Sequence, residues 1–114
     1  MSQTIKLSSP FVAHEKRTDE IVLKEPSGGL YTQLGEPRIA VINATGSAYW
    51  VEQPTVISAY FDKLIDHELG SVVLNFVSLE DAMALKEALF DFFTRAAAKL
   101  AARRSTTSSS ARAS

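Results

Sequence analysis

The stretch SLEDAMALKEALFDFFTRAAAKLAARR, residues 78–104, decides how the rest of the chain is read. Ser78 is a favourable N-cap, because its hydroxyl accepts a bond from one of the helix's unpaired amides. Asp81, three residues on, can reach back to the Ser78 amide in the manner of a capping box. Glu80 and Asp81 set negative charge at the positive end of the helix dipole, and Arg95, Lys99, Arg103 and Arg104 set positive charge at the other. Strong helix formers (Ala, Leu, Met, Lys, Glu, Arg) fill most positions between. The stretch predicts one long α-helix.

Its faces say more. At about 100° per residue, Ala82, Leu85, Leu89, Phe93, Ala96 and Leu100 fall on one stripe. Leu79, Met83, Phe90 and Ala97 widen it on one side and Phe92 on the other, while Glu80, Glu87, Asp91 and Arg95 lie opposite. Asp91 and Arg95 stand at pairing distance. The apolar arc covers roughly half the circumference, where one supporting face needs only about 100°. Leu89 and Phe93 are expected to be its most buried residues. Phe90 and Phe92 point nearly opposite ways, so a single neighbour does not cover both, and at least one is expected to be partly exposed. Either two elements of the same chain flank the helix or another protein takes a share of it.

Upstream, the fold reads as α+β, with N-terminal β-hairpins followed by two C-terminal α-helices. Residues 1–104 form one domain, and residues 105–114 form a disordered Ser/Ala-rich tail with nothing to bury. Ile5-Lys6-Leu7 is a short strand closed by Pro10. His14 to Glu20 is charged and reads as a solvated loop, and Ile21-Val22-Leu23-Lys24 returns as the second strand, stopped by Pro26-Ser27-Gly28-Gly29. Arg38 to Glu52 is a second hairpin: Ile39-Ala40-Val41-Ile42, a turn at Asn43-Ala44-Thr45-Gly46, then Ala48-Tyr49-Trp50-Val51. Tyr49 and Trp50 are adjacent and so face opposite sides of the strand, one of them into the core. Pro54 suits a first helical position and Gly70 the residue past a helix end, with Ile57, Phe61, Leu64 and Ile65 as the buried stripe, reinforced by Val56 and Tyr60. Residues 72–77 are apolar and read as strand, helical turn or packed linker.

The length suits one domain able to bury roughly two-thirds of its surface without disulfides or metals, and there is no cysteine. No basic-then-apolar leader opens the chain and no apolar run approaches the ~20 residues of a membrane helix, so a soluble cytoplasmic protein is expected. The net charge of −1 is unevenly spread. Residues 53–94 carry two basic against seven acidic side chains, whereas residues 95–114 carry five basic and no acidic ones. Matched helix ends and a basic tail account for this; an electrostatic docking site for an acidic partner is the sharper alternative.

No catalytic, cofactor or metal constellation emerges. Asp62, Asp66, His67 and Glu68 cluster, but His67 lies about 100° around the helix from Asp66 and no second ligand group appears at metal-binding spacing. Ser27-Gly28-Gly29 lacks the lysine of a phosphate loop and reads as a strand-ending turn. Glu80 and Asp81 are explained by capping. A binding or assembly protein is favoured over an enzyme.

Ile5-Lys6-Leu7-Ser8-Ser9-Pro10, followed by Ile21 through Gly29, resembles the opening of the tail assembly chaperones of long-tailed phages. There a strand ending in proline precedes a second strand that runs into a basic-acidic-Pro-small-Gly sequence. Leu79-Glu80-Asp81-Ala82-Met83 through Phe92-Phe93 is similar to the family's Asp-led helix ending in paired aromatics. Leu30-Tyr31 departs from the acidic residue usual after the glycines, and the Tyr49-Trp50 hairpin has no counterpart. The resemblance implies a small non-catalytic protein that binds the helix-rich tape measure protein, keeps it soluble and helps recruit tail tube subunits in the host cytoplasm. Together with the wide apolar arc, it makes Leu89, Phe90, Phe92, Phe93 and Trp50 the candidate partner-binding residues, with a homo-oligomer as a further expectation. The alternative is a phage nucleic-acid-binding or regulatory protein using Arg95, Lys99, Arg103 and Arg104; without interleaved aromatics that signal is weak.

Overall fold

A computed structural model describes the backbone of residues 2–113 and the side chains of residues 2–105. It is α+β: antiparallel strands precede a long C-terminal helix. Strands β1 (Gln3–Ala13) and β2 (Lys16–Leu23) form a hairpin, joined on the far side of β2 by the two-residue β5 (Ile65–Asp66). Strands β3 (Arg38–Ile42) and β4 (Ala48–Glu52) make a separate two-stranded sheet. Helix α1 (Gly28–Leu34) links the two hairpins; α2 (Pro54–Leu64), a 3-10 helix (Gly70–Asn75) and α3 (Leu79–Ala113) follow.

The first hairpin is longer than predicted. Positive φ at His14 and Glu15 turns the chain in two residues, between the paired Ala13 and Lys16. Both central residues in the left-handed region is the geometry whose twist suits a tight hairpin, so the predicted loop at 14–20 shrinks to its tip. Nor does Pro10 end the strand. The register slips between Lys6 and Phe11, and Pro10, which lacks an N–H, falls in that unpaired stretch. The amides of Ser8 and Ser9 are satisfied instead by Asp81 Oδ1 at 2.8 Å and Oδ2 at 3.1 Å. Asp81 therefore faces β1 and not back to the Ser78 amide; the Ser78 hydroxyl does cap the helix, accepting from the Asp81 amide at 3.1 Å.

Three helix ends differ from expectation. Ser27 is no strand-ending turn: its Oγ accepts from the Leu30 amide at 3.1 Å and caps α1, which Gly35 (φ 82) closes. Pro54 opens α2 as predicted, but the helix stops at Leu64 and not near Gly70, because Ile65 and Asp66 take up pairing with Leu23 and Val22. The ladder offers the branched Ile65 a strand position, and Lys24 N–H donates to Leu64 O at 2.8 Å across the junction. The apolar run 72–77 is mostly helical turn, with Val73 buried. At the other end, α3 continues past Arg104 into the predicted disordered tail. Adding a residue to an existing helix gains a backbone bond without a new nucleation cost; the side chains of 106–113 lie outside the described residues.

The core gathers Ile21 and Leu23 from β2, Ile57, Tyr60, Phe61 and Leu64 from α2, Val73, and Leu85, Ala88, Leu89, Phe90 and Phe92 from α3. Leu85 and Leu89 are the most deeply buried of α3, both at 0 % exposure; Phe93, expected alongside Leu89, is only partly buried.

Candidate partner-binding site

The β3–β4 hairpin has an unusual sequence for an exposed sheet: neither period-2 face is polar. Arg38 pairs with Glu52, Ile39 with Val51, Ala40 with Trp50, Val41 with Tyr49 and Ile42 with Ala48. Its tip is rigid. Asn43 Oδ1 accepts from the Thr45 amide, the Ser47 amide (both 3.0 Å) and Thr45 Oγ1 (2.7 Å), and Gly46 supplies the positive φ of 87° that the turn needs. At its base the Gln53 amide donates to Pro37 O at 2.8 Å, and Gln53 Nε2 donates to Glu36 O at 2.6 Å.

Two contacts moor this sheet to α3. The Arg38 guanidinium lies 4.3 Å from the centre of the Trp50 ring and 4.5 Å from that of Phe90, sandwiched between them. Lys86 pairs with Glu52 at 2.9 Å. Beyond these the hairpin stands proud: Ile42 is 73 % exposed, Trp50 60 % and Tyr49 49 %, and every residue of β4 is exposed. A lone two-stranded sheet is marginal in water without a packing partner, and the apolar side chains that would stabilise this one face outward.

Between the hairpin and α3 runs an open groove of about 530 Å³, lined by Arg38, Ala40, Trp50, Phe90, Thr94 and Ala97. A second groove, of about 370 Å³, shares Phe93 with the first and is lined also by Glu25, Pro26, Tyr31, Ala96 and Leu100. The Phe93 ring is braced edge-on by Tyr60 (5.3 Å between centres) and tilted against Tyr31 (5.9 Å). The Tyr31 hydroxyl donates to Glu36 Oε1 at 2.6 Å, which raises its pKa above the usual phenol range; burial does the same for Tyr60, whose hydroxyl donates to Gly35 O at 2.6 Å.

The predicted binding residues thus divide. Leu89 is core, and Phe90 and Phe92 are each 7 % exposed, against the expectation that one would be accessible. The same chain covers both: Phe90 and Phe92 belong to the main core, and Arg38 also lies over the Phe90 ring. Neither Tyr49 nor Trp50 enters the core. Trp50 is exposed, and Phe93, partly buried, lines both grooves. Arg38, Ile39 and Ile42 were missed, although the absence of a polar face in 39–42 and 48–51 was a signal for a two-sided apolar hairpin.

The polar clusters are engaged within the fold. His67 Nδ1 accepts from the Leu69 amide at 3.0 Å, its Nε2 meets Thr18 Oγ1 at 3.1 Å, and Glu68 pairs with Lys16 at 3.0 Å. At the basic end of α3, Arg95 pairs with Asp91 at 2.6 Å, while Lys99, Arg103 and Arg104 are exposed. Among the described residues no helix is long and apolar enough to cross a membrane. Comparison with protein-family models, with curated proteins and with solved structures gave no match.

Proposed function

We propose that this protein is a non-catalytic assembly chaperone of the phage tail type, acting in the host cytoplasm, with the tape measure protein as its client and the tail tube protein as the subunit it helps recruit. The observation that carries the reading is the β3–β4 hairpin, apolar on both faces and left exposed beside an open groove on α3. An amphipathic helix of the client laid in that groove would cover Trp50, Ala40 and Ala97 at once, a helix-in-groove mode of recognition. Large side chains so covered contribute about 1.5–3 kcal/mol each, and a tryptophan beside a stacked arginine is the composition of an interface hot spot.

The test is co-expression with the tape measure protein. Wild type keeps the client in the soluble fraction, whereas Trp50→Ser and Ile42→Ser, both at exposed positions, fold normally and do not. Folded hairpin variants that still solubilise the client would overturn the reading.

A further inference from the structure

Arg38 and Glu52 stand directly opposite each other on β3 and β4, close enough for their side chains to pair. They do not. The Glu52 carboxylate goes instead to Lys86 on α3, at 2.9 Å. The Arg38 guanidinium lies over the Trp50 and Phe90 rings, and among the described residues no hydrogen bond or ion pair reaches it. Its donors are not shut away. Arg38 is half-buried, and no side-chain nitrogen among the described residues is both buried and without a partner, so these donors meet solvent. The residue lines the 530 Å³ groove. The other charged residue of that lining, Glu36, accepts the Tyr31 hydroxyl at 2.6 Å.

We infer that Arg38 takes a carboxylate of the client, an Asp or Glu side chain flanking the apolar face of its helix, and that Lys86 keeps Glu52 from occupying Arg38 first. This rests on the client reading above. A guanidinium offers five N–H donors in a rigid planar fork, which matches a carboxylate with two parallel bonds. Rings against the guanidinium hold that fork in place before the client arrives. Trp50, Ala40 and Ala97 exclude water from the pair once the client is seated, which strengthens it. Charge thus selects among amphipathic helices that the apolar surface alone would accept equally. An open groove suits an acid carried on a helix, whereas a free small acid calls for a pocket that encloses it.

The probe is the tape measure protein, co-expressed with the tagged chain and recovered from the soluble fraction. Arg38→Met keeps an apolar stem against the rings, and Arg38→Lys keeps the charge but not the fork. Each recovers about tenfold less client than wild type, as expected for the loss of one charge-assisted bond. Lys86→Ala also lowers recovery, because it releases Glu52 to Arg38, and adding Glu52→Gln restores it. A direct contact between Lys86 and the client would not be restored in this way. Replacing each Asp and Glu of the client's bound segment by its amide finds a position that weakens binding to wild type but not to Arg38→Met. Circular dichroism confirms that each variant is folded. Equal recovery by wild type and Arg38→Met, no rescue of Lys86→Ala by Glu52→Gln, or no such acidic position would overturn this assignment and leave the client reading standing. A change in sedimentation of the client-free protein on Arg38→Met would give the carboxylate to a second copy, and overturn it too. Wild type that leaves the client insoluble would overturn the client reading, and the role of Arg38 with it.

Discussion

At Asp81 a single carboxylate joins segments 73 residues apart in the chain. It accepts from the Ser8 amide, the Ser8 hydroxyl at 3.0 Å and the Ser9 amide, and it is 2 % exposed. The Ser8 amide above all holds its carboxyl below the ordinary value of 3.8, against the opposing effect of burial. A folded-state pKa lower than the unfolded one means that the stabilisation is present in full above that value and is lost as pH falls below it. Asp81→Asn is therefore expected to melt several degrees lower than wild type at neutral pH. The gap should narrow in melts taken down to about pH 2, where the wild-type carboxyl is itself protonated. A gap that does not change with pH would mean that the charge contributes nothing.

Among the elements, the β1–β2 hairpin stores a cost at its tip. His14 (φ 52) and Glu15 (φ 64) both sit in the left-handed region, which asparagine and glycine adopt more readily. Replacing them together, His14→Asn with Glu15→Gly, should stabilise the protein by about 1 kcal/mol in denaturant unfolding. A loss of stability would show that the two side chains make contacts worth more than the backbone relief. The β3–β4 hairpin is the opposite case. Its tip is well made, with Gly46 where the positive φ falls, and its deficit lies in the apolar area that it leaves uncovered.

For the whole molecule, the division of α3 into a core half and a projecting half sets where mutations are felt. Leu89 is fully buried, so Leu89→Ala should cost about 2–5 kcal/mol through lost packing and the cavity left behind. Truncation after Ser105 should leave the melting temperature unchanged, since among the described residues the last of α3 packed on the core is Phe93. A drop in melting temperature on truncation would show that the end of the helix folds back on the domain.

The parts of the fold legible in the sequence are those governed by short-range physics. Capping by Ser78, the charge pattern of residues 80–104 and their apolar period specify α3, while the Asn43–Gly46 turn between branched and aromatic runs specifies the second hairpin. Pro54 likewise marks the start of α2. Ser27 shows the limit of local signals: the same Ser-Gly-Gly chemistry serves a turn or a helix cap, and only the following chain, wound as α1, chooses. What tertiary structure alone decided involves partners far apart in sequence. Nothing near Asp81 shows that its carboxylate will bind Ser8 and Ser9, nor anything near Ile65 that it will leave the helix for β2. The half-circumference arc of α3 was visible, but not what covers it. Phe90 and Phe92 are buried because the main core takes both and Arg38 adds cover over Phe90, whereas Trp50 and Leu100 are left exposed because no element of the described chain covers them. An apolar pattern states how much surface a helix must bury; which part stays open for a partner depends on where the remaining elements come to rest.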